Sequence, residues 1–416
     1  DMRHQTIVIG GGSSGMLAAI VAKDYGQDVA IIEGGNRVGR KLITTGNGRC
    51  NITNRRIKPP YENYHSSNQG FYQSVLDQLT VDDTIGLFYS LGLPIIELTK
   101  GRMYPQSLQA SSVVDILRLN IEERNIPVYL DTKVTDITKD ESNNQFVIET
   151  SGEIPTFYAE KVIVAAGGVS VTRTGSDGSM HEILTKFGHR ITPLLPTIVQ
   201  LKLDYPRLAA VSGVRFDALA KVSVDGEVMR SSLDEVLFTQ YGISGPAIYD
   251  ICRAASVGTY EKKKVYIHLD LFPERSMDEL IDFFEGHFAM FSHRTLNNAL
   301  NGIVDKKLIP ALLKDAGIDN IHLPVIELEY YERLRFYQLL KNWTFICYDT
   351  NGFPNAQATI GGVDTRDVDP DTLESKLIKN LYFSGEILDV DGDCGGFNLQ
   401  WAWSSGYVTG KAAVSK

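Results

Sequence analysis

The string GGGSSG at residues 10–15 constrains this chain more than any other feature, because it stands between two segments of different periodicity. Residues 4–10 are an apolar, β-branched run that stops at glycine, and residues 14–25 carry small and apolar residues at helical spacing. Residues 28–33 return to a strand pattern. Strand, tight turn, helix and second strand within roughly thirty residues make a βαβ unit, whose two strands must run parallel. Gly10, Gly12 and Gly15 occupy the glycine positions of G-x-G-x-x-G. The first permits the turn, the second removes a side chain that would block a pyrophosphate, and the third lets the helix approach the sheet. The helix N-terminus adds N–H donors and a positive dipole. Glu33 closes the second strand, where a carboxylate accepts hydrogen bonds from a ribose hydroxyl and repels a 2′-phosphate. The segment therefore reads as a site for an unphosphorylated adenine dinucleotide.

A chain of 416 residues is long enough for two or three packed units. Its formal net charge of -10 disfavours nucleic acid and anionic membrane surfaces as partners. Apolar runs such as residues 162–169 are too short to span a bilayer, and the amino terminus lacks the basic-then-apolar layout of a secretory signal, so a cytoplasmic setting is expected. Cys50, Cys252, Cys347 and Cys394 lie far apart and form no C-x-x-C pair, which argues against a metal site or a disulfide framework.

Further along, residues 112–124 have helical spacing, residues 146–149 and 157–160 read as short antiparallel strands, and residues 161–166 read as a buried strand ending in glycines. After Pro193 the pattern alternates, at 197–203, 220–225 and 265–271, as in half-buried strands of a sheet or small barrel. Ser276 and Glu279 have the spacing of a capping box, and helices are expected over 277–289, 295–304 and 308–316. Residues 343–348 read as a strand, and a last helix is expected near 398–412.

The fingerprint alone does not separate FAD from NAD, since both contain ADP. Other segments point to FAD. Arg37, Arg40, Lys41 and Arg49 fall among glycines and small polar residues just beyond Glu33, where cations and backbone N–H groups could neutralise the diphosphate of an extended ligand. VIVAAGG at 162–168 and LYFSGE at 381–386 are apolar strands ending in glycine turns, and the second leads to CGGFNLQWAWSSG. Gly395, Gly396 and Asn398 there would let backbone N–H groups approach a flavin's pyrimidine edge, where negative charge gathers on reduction.

With GRKLITTGNGRCNITN at 39–54, GRMYPQS at 101–107, TGSDGSMHEILTKFGH at 174–189, VLFTQYGISGPA at 236–247, ATIGGVD at 358–364 and the block from Leu381 to Gly410, the chain resembles the BaiN-like flavoprotein family over nearly its whole length. That family includes aminoacetone oxidase and often has proline where Ser13 stands. The resemblance implies an α/β fold: a Rossmann-like FAD-binding domain of the glutathione-reductase type, with an inserted β-barrel-like domain and a small helical domain. On this chain the FAD-binding domain would take residues 1–192 and 343–416, the barrel 193–273 and 323–342, and the helical insertion 274–322. The implied flavin contacts fall on Ser14, Glu33, Arg40, Lys41, Gly46, Asn51, Val134, Gly385, Asn398 and Leu399, with Val134 offering backbone groups to the adenine edge. They join Gly10, Gly12 and Gly15 from the fingerprint.

Only one G-x-G-x-x-G is present, so a second nucleotide domain for NADH is not expected. The resemblance implies an oxidase of a small primary amine, aminoacetone-like, that passes hydride to flavin N5 and electrons to O2 to give H2O2. The alternative is an NAD(P)H-dependent reductase of an unsaturated or steroid-like substrate, and a third reading is a flavin-holding or RNA-modifying protein. No catalytic acid or base is assigned. Cys347, Tyr348, Tyr241 and Ser244 are substrate-pocket candidates or packing residues. Asp391 and Asp393 would serve ribityl hydroxyls or an amine, or stand in a solvated turn, and His181 and His189 read as structural.

Overall fold

Met2–Ile9 lies at the centre of the sheet that carries the fingerprint in this computed structural model, which describes residues 1–168 and 179–414. Residues 174–178 of the block 174–189 thus lie outside the described residues. Parallel pairing runs from Thr6↔Val29 to Ile9↔Ile32 on one side and from Met2↔Phe157 to Ile9↔Val164 on the other. The strands lie in the order Val128–Tyr129, Val29–Ile32, Met2–Ile9, Thr156–Val164, Gln145–Thr150, Val134–Asp140. The seventh, Leu381–Phe383, pairs in parallel with Val162–Val164.

The expectation of two strands, 157–160 and 161–166, needs correcting, because Thr156–Val164 is continuous. Lys161 does not break it, since its buried ammonium donates to the Ala413 carbonyl. The nine residues serve three neighbours: Thr156–Ala159 pair antiparallel with the preceding strand, while Val162–Val164 take up Leu381–Phe383 on that same edge. This division admits the carboxyl-terminal part of the chain into the sheet built by the amino-terminal part.

The helices Ser13–Asp24 and Ala110–Glu123 pack on the sheet through apolar faces. Phe397–Ala412 is buried almost throughout, as a helix enclosed by protein must be. Its polar residues are bonded. Gln400 accepts from Thr53 Oγ1 at 2.6 Å and donates to Thr84 Oγ1 at 2.8 Å, Trp401 Nε1 donates to the Gly385 carbonyl at 3.0 Å, and Trp403 Nε1 to that of Ile52 at 3.0 Å. Two glycines let it touch the fingerprint helix closely: a Cβ on Gly406 would lie 2.6 Å from the Ser14 carbonyl oxygen, and one on Gly410 2.6 Å from that of Ala18. Asp1–Leu195 and Gln357–Lys416 together form one compact unit.

Pro196–Ala356 form the other. Six strands close into an antiparallel barrel in the order Leu201–Asp204, Gly242–Ser244, Glu227–Phe238, Arg215–Val224, Val265–Asp270, Trp343–Thr350. Pro246–Tyr260, a helix with no counterpart in the sequence reading, packs on it through Ile248, Ile251 and Ala255. The Ser276 and Glu279 capping box forms, with reciprocal bonds of 3.1 and 3.3 Å.

Two boundaries drawn from sequence differ from this arrangement. Residues 323–342, expected in the barrel, hold the helix Tyr330–Lys341, capped by Glu329 and Glu332 and packed on Met277–Met290 through Phe336 and Tyr337. Trp343–Thr350, expected in the FAD-binding domain, closes the barrel instead, pairing with both Val265–Asp270 and Leu201–Asp204. Among the described residues, no helix is long and apolar enough to cross a membrane.

Candidate functional site

Gly10 follows the strand Met2–Ile9, Glu33 follows Val29–Ile32, Ala165 follows Thr156–Val164, and Gly385 lies just past Leu381–Phe383. These carboxyl ends of parallel strands, where ligands of open α/β sheets bind, line two cavities. The cavities share Gly10, Glu33, Arg40, Ala166 and Gly167, so they make one elongated groove. One end is walled by Thr132, Lys133, Val134 and Met180, and the other by Lys41, Gly385, Glu386, Asn398, Leu399 and Trp401.

The glycines divide their tasks as the fingerprint requires. Gly10 has φ +108, and a Cβ there would lie 2.3 Å from the Ala165 carbonyl oxygen. A Cβ on Gly15 would lie 1.9 Å from the Gly10 carbonyl oxygen, while one on Gly12 would meet nothing within 4 Å. Gly12 therefore borders open space at the N-terminus of Ser13–Asp24, which fits an approaching diphosphate. Glu33 bridges the turn: Oε1 accepts from the Gly11 N–H at 2.9 Å and Oε2 from the Gly35 N–H at 2.6 Å. Each oxygen retains a lone pair for a ribose hydroxyl.

At the opposite end, Gly385 has φ +76, and a Cβ there would lie 2.6 Å from Ser14 Oγ. Asn398 uses its side chain on protein, donating to the Gly392 carbonyl at 2.8 Å and accepting from its N–H at 2.9 Å. Both it and Leu399 line the groove in the first turn of Phe397–Ala412, where the N–H groups of a helix have no intrahelical acceptor. Gly396 caps this helix, and a Cβ on it would strike the Thr53 carbonyl oxygen at 2.5 Å.

Gly10, Gly12, Ser14, Glu33, Arg40, Lys41, Val134, Gly385, Asn398 and Leu399 line the groove. Gly15, Gly46, Asn51 and Asp391 do not. Gly15 acts by packing, and Gly46 and Asn51 lie against each other, Asn51 Oδ1 accepting from the Met103 N–H at 3.2 Å. Asp391 is buried in a two-residue strand beside Tyr64–His65. Of the four cations read as diphosphate partners, Arg37 and Arg49 are exposed and off the groove.

The remaining candidates belong elsewhere. Cys347 points into the barrel core, where burial pushes its thiol up to about 12, and its neighbour Tyr348 points outward and is 57% exposed, so strand alternation prevents the two from sharing a pocket. Neither Tyr241 nor Ser244 lines the groove; Ser244 lies 3.4 Å from the Tyr249 hydroxyl, and burial raises the Tyr241 hydroxyl pKa. Asp393 is not solvated: it lies 2.8 Å from His65 Nε2 and accepts from Asn63 Nδ2 at 3.0 Å. His189 is buried against Phe383 with Ser375 Oγ at 2.7 Å, and burial lowers its pKa; His181 is buried on the helix Ser179–Lys186. Glu386 was not singled out from the sequence, although it ends the quoted LYFSGE, because nothing local distinguishes a groove-lining acid from a surface one.

A family pattern described as the HI0933-like protein Rossmann domain matches residues 4–412. The chain is 38% identical over 411 residues to a 3-dehydro-bile acid delta(4,6)-reductase of Clostridium scindens, covering 98% of each chain. It is 30% identical over 416 residues to a ribosomal RNA dihydrouridine synthase of Escherichia coli, covering 99% of this chain and 98% of that one. Among solved structures, a 3-ketosteroid delta1-dehydrogenase from Sterolibacterium denitrificans superposes with a TM-score of 0.54 at 14% identity, covering 100% of both chains, a likeness of fold alone.

Proposed function

This chain belongs to the HI0933-like Rossmann-domain family of BaiN-like flavoproteins and is an FAD-dependent oxidoreductase, and from that premise we propose that it saturates a carbon–carbon double bond conjugated to a carbonyl in a small steroid-like molecule. The observation that carries this reading is the full-length similarity to the delta(4,6)-reductase, whose named substrate places double bonds in conjugation with a 3-ketone. Dihydrouridine, formed by the second relative, is uridine with a carbonyl-conjugated ring double bond saturated. Relatives named for dissimilar molecules thus share one bond chemistry. The net charge of -10 favours the small molecule over the polyanion. The amine-oxidase reading rests on the sequence resemblance alone, since neither relative's name refers to an amine.

Bound FAD would supply the two-electron reducing equivalents for this reaction. The chain's own residues would hold it extended. The open face of Gly12 and the first turn of Ser13–Asp24 receive the diphosphate, Glu33 the adenosine ribose, and the groove end at Val134 the adenine. Around Asn398 and Leu399, helix N–H groups and the positive dipole end would stabilise negative charge arising in the groove.

The test mixes the FAD-loaded protein anaerobically with NADH, NADPH or aminoacetone and follows loss of flavin colour. A 3-keto-4-ene steroid is then added to the reduced protein. Bleaching by a nicotinamide and recovery of colour on adding the steroid, with a product two hydrogens heavier, are expected. Bleaching by aminoacetone alone would return the protein to amine oxidation, and recovery with a ribosomal RNA fragment but not the steroid would transfer the reading to RNA.

A further inference from the structure

Lys41 and Glu386 are 345 residues apart in the chain, yet Lys41 Nζ lies 2.7 Å from Glu386 Oε2 and both line the groove at its Asn398 end. The carboxylate is seated from a second direction, because Glu386 Oε1 accepts the Thr359 N–H at 2.7 Å. Its seat also needs Gly168: a Cβ there would lie 2.7 Å from Thr359 Oγ1 and 3.2 Å from Glu386 Cδ. The side chains are 26% and 17% exposed, so water screens the pair only partly. Three separate segments therefore converge to fix one cation beside the groove.

We propose that Glu386 is the positioning residue for Lys41, and that this ion pair sets the charge balance at the flavin end of the groove and with it the reduction potential of bound FAD. An ammonium favours the negative charge that reduction brings, and a carboxylate opposes it. Held 2.7 Å apart, the two largely offset each other, so removing either exposes the influence of the other. Glu386→Gln leaves the ammonium without this carboxylate and raises the potential. Lys41→Gln leaves the carboxylate without this ammonium and lowers it. The double variant returns close to wild type, because losing the cation and losing the anion act in opposite directions and largely cancel.

The proposal rests on FAD lying in the groove and not on the choice of substrate. No substrate enters its test, so a failed enone assay leaves it standing, and an unchanged potential leaves the enone reading standing. The FAD-loaded wild type, the two single variants and the double variant are reduced anaerobically against a reference dye of known potential. At a fixed ambient potential, each single variant is expected to change the oxidised-to-reduced ratio by about tenfold, in opposite directions; tenfold corresponds to about 30 mV for a two-electron couple. Shifts of the same sign, or a Glu386→Gln potential equal to wild type, overturn the proposal. If Glu386→Gln fails to retain flavin, Glu386→Asp provides the reading, since it keeps the charge but withdraws it by one methylene. Its potential is expected above wild type, and an unchanged value again overturns the assignment. A purely structural Glu386 would alter flavin retention without opposed shifts.

Discussion

A Cβ on Gly12 would meet no atom within 4 Å, whereas one on Gly10 would lie 2.3 Å from the Ala165 carbonyl oxygen. The two glycines answer different demands, one from the ligand and one from the protein itself. Gly12→Val is therefore expected to leave the unliganded fold within about 0.5 kcal/mol of wild type while abolishing FAD retention. Thermal unfolding of the apoprotein and the flavin absorbance of the purified variant check the two halves separately, and a yellow variant would sink the diphosphate assignment. Asn398 teaches the complementary point. Its side chain is engaged by both backbone groups of Gly392, so its place in the groove depends on the helix N-terminus. Spacing alone revealed the glycines, because they recur in a fixed short pattern between strand and helix; the partners of Asn51 and Glu386 lie on distant segments and were not readable that way.

The crossing of Phe397–Ala412 over Ser13–Asp24 determines where both helix N-termini meet the groove. Gly406 allows that crossing, its missing side chain leaving room for the Ser14 carbonyl. Gly406→Leu forces backbone apart in a packed interior and is expected to cost about 1–3 kcal/mol. Gly86, inside the helix Val81–Leu91, faces nothing within 4 Å, and Gly86→Ala is expected to stabilise by up to about 1 kcal/mol through helix propensity and lost chain entropy. Denaturant midpoints of the two apoprotein variants should move in opposite directions, and a Gly406→Leu midpoint at or above wild type would contradict the close-crossing account. The sequence reading located the last helix, after its glycine-rich turn, but not its contact, because a helix buried on all sides presents no preferred face.

Pro196–Ala356 is a single continuous segment with its own core, running from Leu201 to Cys347 and closed by pairing between its first and last strands. Such a segment meets the ordinary requirements of a domain. Expressed alone, residues 196–356 are expected to unfold cooperatively and to carry no flavin; a non-cooperative melt would show that its core needs the rest of the chain. The FAD-binding unit, by contrast, is assembled from two pieces. The sequence reading of residues 343–348 identified a strand without identifying its sheet, and closure of the barrel assigned it to the inserted unit.

From residue order alone came the βαβ unit, its parallel strands and the strand character of most later segments, since each follows from side-chain size, charge and spacing within a few turns of chain. Tertiary structure decided which distant residues face each other. Thr156–Val164 divides one edge between two partners, and this brings Gly385 and Glu386 to Ser14 and Lys41. Strand order and helix crossing are global solutions to burying apolar surface while bonding most buried polar groups, so no short stretch of sequence encodes them by itself.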